Sequence, residues 1–127
     1  MAQPNHPGLG QRPILVVDDS TSIREALREL LEVEGYSVAE AENGREALER
    51  LRMQPTPSLV ILDLIMPVMT GTEFLWAARL NAASPRVPIV VLSAVTGISW
   101  AARHADCALP KPIDVDVLLN TVAELHG

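Results

Sequence analysis

The chain has 127 residues, of which 48% are apolar and only 3% aromatic, and its formal net charge is −6. This length fits one domain with a core of aliphatic side chains. The acidic balance argues against direct nucleic-acid binding, which needs a basic surface. No apolar run is long enough to cross a bilayer, which argues against membrane insertion. Cys107 is the single cysteine, so no internal disulfide can form.

The first dozen residues differ in composition from the rest of the chain. Residues 1–12 are polar and rich in proline and glycine. They lack the basic start and the apolar stretch of a signal peptide. We therefore predict a flexible N-terminal tail over residues 1–12, a folded domain over residues 13–127 and a cytoplasmic location.

From Pro13 onward, strand-like and helix-like patterns alternate, which is typical of βαβ units on a parallel sheet. The predicted strands cover residues 14–17, 36–41, 59–62, 89–92 and 107–110. The predicted helices cover about residues 22–34, 43–53, 72–81, 98–104 and 114–125, the fourth being short or irregular. The alternation predicts a doubly wound, flavodoxin-like α/β fold with a five-stranded parallel sheet in the order 2-1-3-4-5. Pro110 fits the edge position of the last strand.

Local signals predict where the helices begin and end. Capping-box pairs are Ser22 with Glu25, Asn43 with Glu46, and Thr70 with Glu73. Gly35 is typical of a residue that ends a helix. Ile23, Leu27, Leu30 and Leu31 have the spacing of one apolar face in the first helix.

Polar residues follow four of the predicted strands. They are Asp18 and Asp19 after the first strand, Asp63 after the third, Ser93 after the fourth and Lys111 after the fifth. In an open parallel sheet the carboxyl ends of the strands share one edge, where ligands bind. Three carboxylates brought together there would repel one another unless a cation such as Mg²⁺ were present.

This set of side chains indicates phosphoryl transfer. An exposed Asp63 carboxylate could attack a phosphoryl group and form an aspartyl phosphate. Lys111 would neutralise a phosphoryl oxygen, and Ser93 would donate a hydrogen bond to another. Taken singly, the aspartates after the first strand could instead cap a helix or face solvent, and Ser93 could be a loop cap.

The motifs at these strand ends resemble those of one known family. They are Val16-Val17-Asp18-Asp19-Ser20, Leu62-Asp63-Leu64-Ile65-Met66-Pro67, Thr70-Gly71, Leu92-Ser93-Ala94 and Lys111-Pro112. In these motifs the chain resembles the receiver domains of bacterial two-component response regulators, over about residues 12–126.

The resemblance implies a role for each matching residue. Asp63 would accept a phosphoryl group from a sensor histidine kinase or a histidine phosphotransfer protein. Mg²⁺ or Mn²⁺ would be bound by Asp19, Asp63 and the backbone carbonyl of Ile65, and by Asp18 either directly or through water. Ser93 would be the switch hydroxyl, Lys111 would contact the phosphate, and the Lys111-Pro112 bond would be cis. Such a domain promotes its own phosphorylation and dephosphorylation rather than acting as an enzyme, and it signals to a downstream protein by direct interaction.

Several positions depart from the family pattern. Ala108 stands where the family usually has a switch aromatic, His104 stands where glycine is usual, and the stretch from Ser93 to Lys111 is about one helical turn short. We therefore predict an altered signalling face formed by the fourth helix, the fifth strand and the fifth helix. Ile65 and Val95 are apolar where polar groups in the family help to position water. They either slow autodephosphorylation or simply cover the loop.

Three other functions stay open. The chain could be a receiver module of a longer hybrid kinase or multidomain regulator, although no effector domain follows the last predicted helix. It could also be an interaction module that keeps the fold without phosphorylation. A haloacid-dehalogenase-like enzyme is a poor match, because Ser20 and Thr21 stand where that family needs a second aspartate.

Overall fold

The computed structural model describes residues 12–53, 55–63, 87–93 and 105–126. The predicted third and fourth helices lie outside the described residues. So do the following residues named above: Ile65, Thr70, Glu73, Val95 and His104. The predicted boundary between tail and domain stays a prediction. Arg12, at that boundary, donates hydrogen bonds from Nε to the Thr56 carbonyl at 2.9 Å and from Nη2 to the Pro57 carbonyl at 2.8 Å.

The predicted sheet is confirmed. Its strands are β1 (Ile14–Val17), β2 (Val38–Ala41), β3 (Leu59–Asp63), β4 (Ile89–Ser93) and β5 (Cys107–Pro110). All pairs are parallel, and the order is β2-β1-β3-β4-β5. β2 begins two residues later than predicted. β3 and β4 each extend one residue beyond the prediction, so Asp63 and Ser93 are the last residues of their strands.

The central strands are buried on both faces, which explains their unbroken apolar sequences. Alternate residues contribute to two separate apolar clusters, as the two-residue period of a strand requires. Leu15, Val17, Val60 and Leu62 lie in one cluster, and Ile14, Val16, Leu59 and Ile61 lie in the other. The partly buried Cys107 packs against the second cluster.

Three helices are described. α1 (Thr21–Val33) and α3 (Val115–His126) cover one face of the sheet with Leu27, Leu31, Leu118 and Val122. α2 (Gly44–Arg52) covers the other face with Ala47 and Leu51. None of these helices is both long enough and apolar enough to cross a membrane.

The predicted start of α1 is wrong. Ser20, not Ser22, is the N-cap: its backbone is extended and its Oγ accepts a hydrogen bond from the Ile23 N–H at 3.4 Å. Ser20 takes this role because its own N–H donates to Asp18 Oδ1, which forms a turn directly after β1. The helix therefore begins before Ser22 is reached.

The predicted end of α1 is confirmed. Gly35 has φ 96°, a left-handed conformation that glycine adopts without steric cost. The Gly35 N–H donates to the Glu32 carbonyl and the Tyr36 N–H to the Leu31 carbonyl, the two bonds of a Schellman motif. At the start of α2, Asn43 Oδ1 accepts from the Glu46 N–H at 2.9 Å, as predicted.

Apolar spacing overstates burial at the first turns of α1 and α3. Ile23 is 44% exposed and Val115 is 47% exposed, although both have the spacing of the buried face. Each helix begins within a few residues of the carboxyl end of a strand. The first turn therefore lies at the end of the sheet, and its apolar side chains stay exposed.

Candidate functional site

Three aspartates meet at the carboxyl edge of the sheet. Asp18 and Asp19 follow β1, and Asp63 ends the neighbouring strand β3. Each can offer one carboxylate oxygen so that the three oxygens lie within 4.8 Å of one another. Asp19 is exposed, whereas Asp18 and Asp63 are buried. The structure thus brings together the three carboxylates that the sequence singled out.

Asp18 is only 2% exposed, and three of its four polar atoms have partners. Its N–H donates to the Ala41 carbonyl at 3.1 Å, and its Oδ1 accepts from the Ser20 N–H at 2.9 Å. Its carbonyl accepts from Arg24 Nη1 at 2.7 Å. The fourth atom, Oδ2, is buried without a hydrogen-bond partner among the described residues.

The surroundings of Asp18 disfavour its negative charge. Burial is the largest cause that raises its pKa above the ordinary value, and the nearby charges of Asp63 and Asp19 raise it further. The Ser20 N–H and the Lys111 ammonium lower the pKa, but the net shift is upward. An ionised Asp18 therefore needs more positive charge than these groups supply.

Lys111 places a cation in direct contact with the cluster of three aspartates. Its Nζ lies 3.1 Å from Asp63 Oδ1, and Asp63 is buried while Lys111 is partly exposed. The Lys111 backbone N–H donates to the Ser93 carbonyl at 2.9 Å, which joins the end of β5 to the end of β4. The Lys111-Pro112 peptide bond is cis, as predicted.

Ser93 lies at the same edge, because β4 lies between β3 and β5 in the sheet. It is the last residue of β4 and is partly buried. Asp63, Ser93 and Lys111 therefore end or follow three adjacent strands, in that order. Ile65, which the resemblance places at the metal through its carbonyl, lies outside the described residues.

The residues present fit a divalent cation with hard oxygen ligands. Asp18 Oδ2 is a buried oxygen without a hydrogen-bond partner among the described residues, so a cation at this position would satisfy it. Asp19 and Asp63 place further carboxylate oxygens beside it. Mg²⁺ is bound by one or a few carboxylates and retains several waters, so three carboxylates at a partly open edge suit it.

Sequence reasoning missed Arg24. This residue donates to the Asp18 carbonyl, and its Nε also donates to Glu40 Oε1 at 3.0 Å. In the sequence, Arg24 is one of several charged residues between the apolar positions of α1, a pattern that indicates only a solvated face. No local signal distinguishes it, because its partners lie in a separate loop and a separate strand.

Comparison with known proteins decides the family. The response regulator receiver domain family matches residues 14–123. The chain belongs to this family. Receiver domains are phosphoacceptor signalling domains that interact with histidine kinases or phosphotransfer proteins and with downstream targets, and they are not enzymes in the usual sense. The resemblance noted in the sequence and the phosphoacceptor function are therefore confirmed.

Curated relatives include longer response regulators. The chain is 40% identical over 116 residues to the response regulator MprA of Mycolicibacterium vanbaalenii, a match that covers 88% of this chain and 49% of that protein. The MprA of Mycobacterium leprae is 36% identical over 116 residues, with 50% of its length covered. The chain spans about half the length of the curated relatives it matches.

Solved structures confirm the fold class. The chemotaxis protein CheY4 of Vibrio cholerae has a TM-score of 0.79 and 34% identity, with 91% of this chain and 98% of that chain covered. The response regulator TrrA of Thermotoga maritima, in complex with Mg²⁺-BeF, has a TM-score of 0.80 and 36% identity, with 91% and 99% covered.

Proposed function

We propose that Asp63 accepts a phosphoryl group from the phosphohistidine of a sensor histidine kinase or a histidine phosphotransfer protein. The observation that carries this proposal is the Lys111 ammonium 3.1 Å from the Asp63 carboxylate, inside a cluster of three carboxylates. The TrrA structure with Mg²⁺-BeF shows that a relative of this chain binds such a complex.

Asp18, Asp19 and Asp63 would hold Mg²⁺, together with the Ile65 carbonyl that the family resemblance adds. Bound there, Mg²⁺ supplies positive charge to the phosphoryl oxygens during transfer. Asp18 would present its buried Oδ2, which has no hydrogen-bond partner among the described residues. Mn²⁺ prefers similar oxygen ligands and is expected to substitute.

The chain's own residues would position and neutralise the transferred group. A carboxylate oxygen of Asp63 forms a bond to phosphorus while the bond from phosphorus to the histidine nitrogen breaks, and the imidazole leaves. The Lys111 ammonium already contacts Asp63 Oδ1. It would contact a phosphoryl oxygen as negative charge develops there during transfer. Ser93, at the end of the intervening strand, would donate its hydroxyl hydrogen to a phosphoryl oxygen.

The phosphorylated domain would signal by contact with a downstream protein. Ala108 lies exposed on the edge strand β5, at the position where the family usually has the switch aromatic. A methyl group cannot make the inward rotation of an aromatic ring, so we propose that the face around β5 and α3 reports phosphorylation by another rearrangement.

The experiment is phosphorylation by acetyl phosphate and Mg²⁺, measured by intact mass. We expect wild type to gain one phosphoryl group, Asp63→Asn to gain none, and chelation of Mg²⁺ to prevent the gain. Asp116→Asn is the matched control, because it removes an exposed carboxylate in the first turn of α3 and should be phosphorylated like wild type. Unmodified wild type would favour the phosphorylation-independent interaction module, and a modified Asp63→Asn variant would contradict the assignment of Asp63.

A further inference from the structure

The loop of residues 18–20, here called the acid loop, carries two of the three clustered carboxylates and is held by an arginine from α1. Arg24 Nη1 donates to the Asp18 carbonyl at 2.7 Å, and Nη2 lies 3.4 Å from the Thr21 hydroxyl. The Arg24 side chain is only 12% exposed. Its guanidinium is therefore mostly buried against the acid loop and does not extend into solvent.

Glu40 holds Arg24 in turn. Glu40 Oε1 accepts from Arg24 Nε at 3.0 Å, and Oε2 accepts from Arg28 Nη1 at 2.8 Å. The next residue, Ala41, accepts a hydrogen bond from the Asp18 N–H. The end of β2 thus holds the acid loop at two points, directly through Ala41 and indirectly through Glu40 and Arg24.

The hydrogen bond from Arg24 to the Asp18 carbonyl restrains the whole peptide unit between Asp18 and Asp19. A peptide unit is planar, so the direction of the Asp18 carbonyl also sets the direction in which the Asp19 Cα lies. Because the Asp18 N–H is held by Ala41, both peptide planes of Asp18 are restrained. These two planes set the backbone from which the Asp18 carboxylate projects, and they restrict the position of the Asp19 Cα.

We propose that Arg24 is a positioning residue that holds Asp18 and Asp19 in the geometry for binding a divalent cation, and that Glu40 orients Arg24. Arg24 touches neither the phosphoryl group nor the metal in this role; it acts through the acid loop. The inference rests on the proposed metal-binding function of the three aspartates, and it goes beyond that function by adding a residue from outside the cluster.

A simple charge effect predicts the opposite change in Mg²⁺ affinity when Arg24 is replaced. Arg24 is a cation near a cluster of carboxylates, so by Coulomb repulsion alone it opposes the binding of a second cation. Replacing it with a neutral residue would then tighten Mg²⁺ binding. Positioning predicts weaker binding, since the acid loop would sample orientations in which the carboxylates do not converge. The direction of the change separates the two effects.

The experiment compares Arg24→Met with Arg28→Met. Each substitution removes one positive charge and one partner of Glu40 from the same helix. The hydrogen bonds of Arg28 go to Glu32 and Glu40, and among the described residues none joins it to the acid loop. We would titrate MgCl₂ into each protein without a phosphodonor by calorimetry, and measure unfolding in urea without metal.

We expect Arg24→Met to weaken Mg²⁺ binding roughly tenfold or more, which is typical of residues that orient metal ligands. Arg28→Met should change the Mg²⁺ affinity less than about twofold. The affinity of Arg24→Lys should lie between those of Arg24→Met and wild type, because lysine keeps a hydrogen-bond donor but not the planar guanidinium. Unchanged or tighter binding by Arg24→Met would overturn the proposal, as would equal weakening by both methionine variants. A wild type that binds no Mg²⁺ would instead overturn the proposed metal site, and this role with it.

Discussion

At the residue scale, Asp18 shows how a site can be built at the expense of stability. Its backbone and one carboxylate oxygen are fully used by neighbours, while Oδ2 is buried without a partner among the described residues. Its pKa is raised mainly by burial and further by Asp63 and Asp19. The metal-free protein therefore carries a disfavoured charge that a bound cation would offset.

We predict that Asp18→Asn stabilises the metal-free protein by about 1 kcal/mol, because it removes a buried charge next to like charges. The asparagine keeps an oxygen to accept from the Ser20 N–H. The same variant should bind Mg²⁺ much more weakly than wild type. Urea unfolding with and without Mg²⁺ measures both effects.

Asp19→Asn is the control for this prediction, because Asp19 belongs to the same cluster but is exposed. It should weaken Mg²⁺ binding without a comparable gain in stability of the metal-free protein. If Asp18→Asn destabilises the metal-free protein, the charge of Asp18 is compensated by contacts that the described residues do not show, and the argument fails.

At the element scale, the two ends of α1 show which local signals were read correctly. Gly35 ends the helix through a left-handed residue, and this end was predicted because only glycine adopts that conformation freely. The N-cap was predicted two residues late, at Ser22 instead of Ser20. Ser20 and Ser22 are both good caps by type, and the choice between them depends on the turn that Asp18 makes with Ser20.

We predict that Gly35→Ala destabilises the fold by about 1 kcal/mol, since a Cβ at φ 96° clashes with the backbone. Gly35→Asn should be less damaging, because asparagine tolerates the left-handed region. Mg²⁺ affinity should not change in either variant, because the end of α1 lies away from the carboxyl edge. Thermal or urea unfolding checks the first effect, and equal losses for the two variants would point to a cause other than the backbone angle.

At the scale of the whole molecule, contacts between distant elements contribute to how stability depends on pH. Glu40 accepts from Arg28 and Arg24, and these hydrogen bonds lower its pKa below the ordinary value of 4.5. Because the folded-state pKa is below the unfolded-state pKa, folding favours the ionised form. The resulting stabilisation is present above the unfolded-state pKa and is lost as the pH falls through the folded-state pKa.

We predict that Glu40→Gln lowers the free energy of unfolding at pH 7 by about 1 kcal/mol, since two ion pairs at partly exposed sites are lost. The difference from wild type should shrink as the pH falls below about 4.5 and vanish once Glu40 is protonated in both states. Urea unfolding at a series of pH values measures the difference. A difference that stays constant down to the lowest pH would mean that packing, rather than charge, is responsible.

Much of the fold was predictable from local sequence. The strand order followed from the alternation of elements, and the central strands were recognised because burial on both faces requires unbroken apolar runs. The residues at the strand ends were recognised by type. An error occurred where burial depends on what lies opposite: Ile23 has the spacing of the buried face of α1 but is exposed.

The sequence by itself determined the alternation of strands and helices and the presence of Asp18, Asp19, Asp63, Ser93 and Lys111 at the carboxyl ends. These features depend on neighbours within a few residues, so a pattern in the chain can show them. Only the tertiary structure decided that Asp18 Oδ2 is buried without a partner among the described residues, and that Arg24 joins Glu40 to the acid loop. The contacts of Arg24 exist because β1 and β2 pair side by side, which brings Glu40 close to the loop after β1 although no local pattern relates them.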